Sequence, residues 1–394
     1  MTDEQFMQLA LDLAASAEGN TNPNPLVGAV IVKDGVIVGT GLHRKAGEPH
    51  AEVHAFRMAG EHAKGATLYV TLEPCSHYGK TPPCANLVKE SGVSRVVVAM
   101  QDPNPDVAGR GIQLLRDAGM IVEVGVLEEQ ARRLNERFIH NMRTSRPFII
   151  SKYAMTLDGK IATHTGHSKW VTGEAAREDV HRIRHAVDGI LVGIGTVMAD
   201  NPSLTTRLKE GKGKNPVRII MDSSLRIREN ANVLNVKEAK TIIVCSEEAD
   251  QEKMAALEKK GVNILTVRSD QRGLIIDEML EKLYQLGITD ILVEGGSTVN
   301  ASFLQSDAIN KYVIYIAPKV LGGRLSLTPI GGHSAVMMDE AFDVEMDSFE
   351  KVGQDLRIIA YPKKENESKR WSKLKKNTLF RISFLKGKKD ENRF

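Results

Sequence analysis

Cysteine is scarce in this chain, with three among 394 residues, too few for a disulfide scaffold. Long apolar runs are missing too. The smoothest one, residues 189–199, is far shorter than the ~18 residues that a membrane-spanning helix needs. Asp3 and Glu4 stand where a secretory signal peptide would carry lysines. We therefore expect a cytoplasmic protein of a reducing compartment, with no membrane partner.

Positive charge is confined to one end of the chain. The net charge is +3, but residues 363–394 hold twelve Lys and Arg against four Asp and Glu, which leaves residues 1–362 at −5. A body with this balance is not built as a nucleic-acid surface. We expect residues 363–394 to form a basic, disordered extension, and a nucleic-acid or partner contact is the alternative.

The length of 394 residues suits two domains. Strands alternate with helices through both halves, which predicts an α/β fold with helices on the sheet faces. The stretch 128–142 is expected to be helical, and the run Arg-Thr-Ser-Arg-Pro at 143–147 then breaks the pattern. We therefore predict one domain over residues 1–145 and a second over residues 146–362.

The strongest chemical signal lies between His50 and Cys84. One imidazole (His50) and two thiolates (Cys75 and Cys84) are the ligand set of a zinc site with an open fourth position, the catalytic arrangement. Glu52 follows the histidine by two residues and can carry a proton. The pattern matches the His-x-Glu and Pro-Cys signature of zinc nucleobase deaminases, except that eight residues separate the two cysteines.

Two alternatives stay open for these residues. The cysteines could be ordinary buried small side chains. The site could also be a structural zinc site with His54 or His77 as a fourth ligand.

The second half has weaker signals. An apolar strand at residues 291–293 is expected to lead into a Gly295-Gly296 turn and a helix, whose first N–H groups could bind a phosphate. A plain turn is the alternative. The run 193–198 begins like a dinucleotide-binding glycine motif, but Met198 stands at its last position.

The first half resembles the pyrimidine deaminase domain of the bifunctional riboflavin-biosynthesis deaminase/reductase family, through TNPNPLVGAVIV, GLHRKAGEPHAEVHA and TLEPCSHYGKTPPC. The long loop between the cysteines is the specific part. The resemblance implies that His50, Cys75 and Cys84 bind one zinc ion and that Glu52 moves the proton. It also implies substrate contacts by Asn24, His43, His77 and Lys80.

The second half resembles the reductase domain of the same family, through SKYAMTLDGKIA, HSKWVTG, VGIGTVMADNPSLTTR and LVEGGSTVNASFL. The resemblance implies NADPH contacts by Ala154, Trp170, Thr196, Asp200, Ser223, Gly296, Ser297, Thr298, Val299, Asn300, Ala301 and Ser302. It implies sugar-phosphate contacts by Ser168, Arg184, Leu204, Arg207 and Glu294. Lys152 is expected to polarise the sugar C1 during hydride transfer, with Glu294 as a proton partner.

The resemblance implies a cytidine-deaminase-like N-terminal domain followed by a dihydrofolate-reductase-like C-terminal domain. The expected reactions are zinc-dependent hydrolytic deamination of 2,5-diamino-6-(5-phosphoribosylamino)pyrimidin-4(3H)-one and NADPH-dependent reduction of its ribosyl group to ribityl, giving 5-amino-6-(5-phosphoribitylamino)uracil. The expected partners are this phosphorylated pyrimidine and further copies of the chain, with no nucleic acid.

Two other functions fit the sequence less well. A nucleic-acid deaminase with a basic tail is disfavoured by the −5 body and the long cysteine loop. A non-catalytic zinc module fused to a nucleotide sensor is disfavoured by the intact Glu52.

Overall fold

The computed structural model describes residues 1–76, 83–104, 107–211, 213–332 and 334–363. The chain divides into two compact units. The first comprises Met1–Ile149 and Arg177–Glu294, and the second comprises Ile150–Ala176 and the described residues from Gly295 onward. None of the helices in the described ranges has the length and the apolar character that a membrane span requires. The predicted boundary at residue 145 stays a prediction, and the predicted basic extension lies outside the described residues from 364 on.

The helices and strands alternate as the sequence predicts. The helices are α1 (Asp3–Ala15), α2 (Ala51–Ala59), α3 (Cys84–Glu90), α4 (Arg110–Asp117), α5 (Glu128–Leu134), α6 (Glu136–Thr144), α7 (Glu174–Ala186), α8 (Ile194–Asp200), α9 (Gln251–Lys259), α10 (Ile276–Gln285) and α11 (Ser297–Gln305). Short 3₁₀ turns lie at Gly60–Ala63, Asn232–Leu234 and Met338–Glu340.

The strands are mostly five to nine residues long. They are β1 (Gly28–Lys33), β2 (Val36–Leu42), β3 (Thr67–Leu72), β4 (Arg95–Met100), β5 (Ile121–Val124), β6 (Phe148–Thr156), β7 (Gly189–Gly193), β8 (Val217–Met221), β9 (Thr241–Ser246), β10 (Asn263–Val267), β11 (Ser269–Asp270), β12 (Gly273–Leu274), β13 (Asp290–Gly295), β14 (Lys311–Ala317), β15 (Val344–Val352) and β16 (Asp355–Pro362).

The first unit contains a five-stranded sheet in the order β2-β1-β3-β4-β5. Strand β1 is antiparallel to β2 and β3, and β3, β4 and β5 are parallel. The β1–β2 hairpin turns at Asp34 and Gly35, which both have positive φ, as a tight Asp-Gly hairpin requires. Side chains alternate between the faces: Ile31 and Val98 pack with α2 and α3, whereas Val30 and Val97 pack with α1.

The rest of the first unit includes strands in the order β10-β9-β8-β7-β13, and β7, β8, β9 and β10 run parallel. In the second unit the order is β6-β14-β16-β15. There β14 is parallel to β6 and antiparallel to β16.

The structure departs from the expected elements in two places. The helix over residues 128–142 is broken at Asn135, because the buried Asn135 side chain pairs with both the N–H and the C=O of Leu26, at 2.8 and 3.0 Å. Strand β15 was not expected at all. All of its residues except the last are exposed. The strand therefore lacks the apolar alternation by which a half-buried strand is recognised.

Candidate active sites

The predicted zinc ligands come together in the first unit. His50 is the N-cap of α2, Cys84 is the first residue of α3, and Cys75 follows β3 by three residues. His50 Nδ1 lies 3.3 Å from Cys84 Sγ and 3.7 Å from Cys75 Sγ. Ligand atoms around a tetrahedral zinc ion lie roughly 3.6 Å apart. The three side chains therefore fit a zinc ion in spacing and in donor chemistry.

The electrostatic environment favours a thiolate at Cys75. The backbone N–H of Cys84 donates to Cys75 Sγ at 3.3 Å, at the N-terminus of α3. Hydrogen bonds with the Cys84 thiol and with His50 lower the pKa of the Cys75 thiol to about 4. Since zinc binds the thiolate rather than the thiol, this site is prepared for a metal.

Glu52 lies on the first turn of α2 beside these ligands. Its side chain is 3 % exposed, and burial raises the pKa of its carboxyl. Its Oε2 atom is buried without a hydrogen-bond partner among the described residues. Burying a carboxyl oxygen costs folding free energy unless a ligand or a water molecule forms a hydrogen bond with it. The geometry suits a group that accepts and returns a proton.

Asn24 and His43 lie next to the cluster. The Asn24 Nδ2 atom is 3.0 Å from His43 Nε2, and His43 Nδ1 is 3.2 Å from Pro49 O. Because a carbonyl only accepts, His43 carries its hydrogen on Nδ1 and Nε2 accepts from Asn24. The His43 ring packs edge-on against the His50 ring, and burial lowers its pKa. The Asn24 amide group donates in this pair, so its oxygen can still accept a hydrogen bond from a ligand.

The remaining predicted residues of this site have different outcomes. His77 and Lys80 lie outside the described residues. His54, the other fourth-ligand candidate, is not part of the cluster found among the described residues. The zinc alternative that uses His54 is therefore unsupported.

Glu73 is a residue that the sequence analysis missed. It is 4 % exposed, and its carboxylate accepts the backbone N–H groups of Asp102, Gly109, Gly111 and Ile112 at 2.8–3.3 Å. It thereby anchors the loop before α4 to the segment that carries Cys75. The sequence signal that could have revealed it is an acidic residue directly after the apolar strand β3.

Arg184 and Glu294 form a bidentate ion pair in the first unit. Arg184 Nε and Nη2 donate to the two Glu294 oxygens at 2.6 and 2.9 Å, and Nη1 donates to Thr205 O at 3.1 Å. Both side chains are nearly buried, at 13 % and 10 % exposure. The structure therefore brings together two of the predicted substrate residues.

Five other predicted residues of the reductase half belong to the same unit. Arg207 is exposed, and Leu204 is buried with a φ of +52°. Thr196 and Asp200 lie on α8. Ser223 follows β8, and the turn after it is held by the Asp222 carboxylate, which accepts the N–H groups of residues 226 and 227 at 2.8 Å.

The second unit holds the other predicted residues. Lys152 and Ala154 lie on β6. Ser168 and Trp170 line one cavity of about 390 Å³, whose rim includes Lys319. Lys319 Nζ donates to Trp170 O at 2.6 Å, and the Trp170 side chain is 61 % exposed.

The predicted run from Gly296 to Ser302 covers the N-cap and first turns of α11. Gly295 has a φ of +91°, and no side chain among the described residues caps α11. Asn300 is buried, donates to Pro329 O at 2.9 Å, and has a buried Oδ1 with no hydrogen-bond partner among the described residues. A helix start of this kind suits an anionic group such as a dinucleotide phosphate.

Comparisons with known proteins cover both halves. Residues 1–100 match the family model of the cytidine and deoxycytidylate deaminase zinc-binding region, and residues 147–358 match that of the RibD C-terminal domain. The chain is 47 % identical over 361 residues to the riboflavin biosynthesis protein RibD of Bacillus amyloliquefaciens, covering 92 % of this chain and 96 % of the relative. It is 48 % identical to RibD of Aquifex aeolicus, covering 91 % and 98 %.

Two solved structures are similar to this chain over more than nine-tenths of its length. RibD of Acinetobacter baumannii matches with a TM-score of 0.82 and 39 % identity, covering 92 % of this chain and 99 % of the other. The deaminase/reductase of Thermotoga maritima matches with a TM-score of 0.79 and 40 % identity, covering 91 % and 98 %.

Proposed function

We propose the reactions and residue roles below from the premise that this chain belongs to the RibD family, the bifunctional deaminase/reductases of riboflavin biosynthesis. The chain is a hydrolase in its deaminase half and an oxidoreductase in its reductase half. The predicted cytidine-deaminase-like domain followed by a dihydrofolate-reductase-like domain is confirmed. The domains are proposed to span residues 1–145 and 146–362.

The deaminase half would act on the 2-amino group of the phosphoribosylamino diaminopyrimidinone. One zinc ion per chain, held by His50, Cys75 and Cys84, would supply an activated water. The observation that carries this proposal is the cluster of those ligands beside the unpartnered Glu52 Oε2. Glu52 would take a proton from the attacking water and deliver it to the leaving amino group, so that ammonia leaves. Asn24, His43, His77 and Lys80 would contact the substrate.

The reductase half would reduce the ribosyl group of the deaminated product to ribityl. NADPH would supply the hydride, bound by Ala154, Trp170, Thr196, Asp200, Ser223 and the residues 296–302. Lys152 would polarise the sugar C1, with Glu294 as its proton partner. Ser168, Arg184, Leu204 and Arg207 would bind the sugar phosphate. The exposed guanidinium of Arg207 supports a phosphate contact, since arginine matches phosphate oxygens in a bidentate manner.

The partner and location proposals rest on exposed apolar side chains and on free thiols. We propose a homo-oligomer, supported by the large apolar side chains that the second unit exposes, among them Leu325 at 77 %, Met338 at 89 % and Phe349 at 75 %. We propose a cytoplasmic location, where the thiols of Cys75 and Cys84 stay reduced. We propose that nucleic acid is not a ligand, and a filter-binding salt series checks this.

The central experiment follows both reactions on purified protein. Ammonia release from the diaminopyrimidinone and loss of nicotinamide absorbance on the deaminated product should both be seen, with NADPH favoured over NADH. Metal analysis should give one zinc per chain. Zinc-loaded protein that releases no ammonia would contradict the deaminase proposal. Oxidation of NADH as fast as NADPH would contradict the cofactor proposal.

Arg207→Ala tests the phosphate contact. A charge-assisted hydrogen bond contributes about 1.5–3 kcal/mol, so KM for the phosphorylated reduction substrate should rise roughly 10- to 150-fold. The KM for NADPH should stay near the parent value. A loss that falls on NADPH instead would assign Arg207 to the cofactor.

A further inference from the structure

The segment 201–207 carries Leu204 and Arg207. Five of its residues form hydrogen bonds with residues outside the segment. Asn201 pairs with Asn232 through two hydrogen bonds at 2.7 and 2.9 Å. Further along, two backbone carbonyls accept hydrogen bonds: Ser203 O from Arg218 and Thr205 O from Arg184. Two backbone N–H groups donate: that of Thr206 to Asn215 and that of Arg207 to His181. These contacts span 2.8–3.3 Å. The side chains come from four separate parts of the first unit.

The segment needs this support because of its backbone. Asn201 and Leu204 have φ values of +42° and +52°, a conformation that side-chain-bearing residues rarely adopt. Such a backbone persists only where its surroundings fix it. The segment is therefore preformed rather than folded around a ligand.

One face of α7 contacts the chain between residues 207 and 214. Glu178, His181 and His185 are spaced three and four residues apart, so they lie along the same side of the helix. Glu178 pairs with Lys209 Nζ at 2.9 Å, and His185 Nδ1 accepts the N–H of Lys214 at 2.9 Å. His181 Nδ1 accepts the N–H of Arg207 at 3.2 Å. Among these α7 contacts, the His181 bond is the one made to the backbone of the proposed phosphate-binding arginine.

We propose that His181 is a positioning residue of the reductase reaction, which fixes the backbone of Arg207 so that its guanidinium meets the substrate phosphate. The inference rests on the proposed role of Arg207. Because His181 Nδ1 accepts an N–H, the ring is neutral and carries its hydrogen on Nε2. The long Arg207 side chain has several rotatable bonds, so a fixed backbone reduces the conformations that it must lose on binding.

Two variants of His181 separate this role from simple packing. In His181→Asn, the new Oδ1 occupies about the place of Nδ1 and can still accept the Arg207 N–H. In His181→Leu, the acceptor is lost. We expect His181→Leu to raise KM for the phosphorylated reduction substrate about three- to tenfold, the size of one hydrogen bond. The kcat of reduction, the KM for NADPH and ammonia release should stay within about twofold of the parent, and His181→Asn should restore KM.

His185→Leu is the matched control. It removes the same kind of bond one turn further along α7, to Lys214 instead of Arg207. We expect it to leave KM at the parent value. Equal KM increases in His181→Leu and His185→Leu, or no recovery in His181→Asn, would overturn the positioning role.

A double-mutant cycle with Arg207→Ala completes the test. Since His181 is proposed to act through Arg207, His181→Leu should have no further effect on KM when Arg207 is already alanine. Additive effects would overturn the proposal. A parent KM in His181→Leu together with a raised KM in Arg207→Ala would overturn the positioning role alone. A parent KM in Arg207→Ala would overturn the proposed phosphate contact and the role of His181 with it.

Discussion

The zinc cluster and the segment 201–207 are both preformed, but different kinds of contact build them. The cluster is made of side chains that would contact the metal directly, and all its ligands lie between residues 50 and 84. The segment is shaped by side chains that hold backbone groups, and those side chains are scattered from His181 to Asn232. One site depends on which residues touch the ligand, and the other on which residues hold the chain.

The difference decides how each region should respond to mutation. Removing a proposed metal ligand or the proposed proton carrier should remove the deamination chemistry, because no other side chain of the described cluster offers the same group. Removing one of five supports leaves four others, so the loss should be partial. The deaminase half should therefore show all-or-none effects, and the segment should show graded ones.

Cys75→Ala gives the largest expected effect. The loss of one of three ligands should remove zinc and abolish ammonia release, because a two-ligand site holds zinc poorly. Reduction of the deaminated substrate should continue. Cys245→Ala is the matched control. Cys245 is buried in β9, outside the cluster, and burial raises its pKa to about 11. Metal analysis of both proteins decides the matter, and full zinc content in Cys75→Ala would contradict the ligand assignment.

Glu52→Gln should keep zinc and lose the deamination rate. Glutamine preserves the shape of the side chain but cannot accept the proton, so kcat for ammonia release should fall about 10²–10⁴-fold. Reduction of already deaminated substrate should run near the parent rate. Two parallel assays, for ammonia and for nicotinamide absorbance, measure this. If reduction stops as well, the two reactions are not carried out by separate sites.

The sequence predicts the cluster well because zinc chemistry restricts residue types. Only a few side chains bind zinc, and His50, Glu52 and the cysteines stand at short, recognisable spacings. The alternating strands and helices are predictable for a different reason, since burial imposes a regular apolar pattern. Among the described residues, the three predicted ligand atoms lie within 4.8 Å of one another.

The supports of segment 201–207 could not be predicted. Each is a bond between a side chain and a backbone group, and every residue except proline offers the same N–H and C=O. The residue types of His181 and Asn215 do not indicate that their side chains accept backbone N–H groups of the segment. The helix break at Asn135 could not be predicted for the same reason, since it depends on hydrogen bonds with the backbone of Leu26, 109 residues away. The exposed strand β15 escaped because no apolar alternation marks it.

Lys152→Ala tests the reductase half in the opposite sense to Glu52→Gln. If Lys152 polarises the sugar C1, its loss should lower kcat for NADPH oxidation by about 10²-fold or more. Ammonia release and zinc content should not change. The same two assays serve, with Glu52→Gln as the reciprocal control. A parent rate of NADPH oxidation would remove Lys152 from the proposed chemistry.

Asp290 carries a prediction about stability instead of activity and extends the comparison to the contacts behind the sites. It begins β13, whose Glu294 pairs with Arg184, and it is 0 % exposed. Arg137 of α6 donates to it at 2.9 Å. Burial nevertheless outweighs the attraction of Arg137 and raises the pKa of Asp290 from 3.8 to about 6.

The raised pKa makes the stability of the protein depend on pH in a definite direction. Between about pH 4 and pH 6 the folded protein holds this proton and the unfolded chain has lost it, so the free energy of unfolding falls as the pH rises. The fall should be roughly 2–3 kcal/mol. Asp290→Asn cannot ionise and should lack this component, whatever its absolute stability. Urea unfolding of both proteins at pH 4, 5, 6 and 7 measures the difference. Parallel curves would mean that Arg137 keeps Asp290 ionised throughout, and that an ion pair rather than a protonated carboxyl joins α6 to β13.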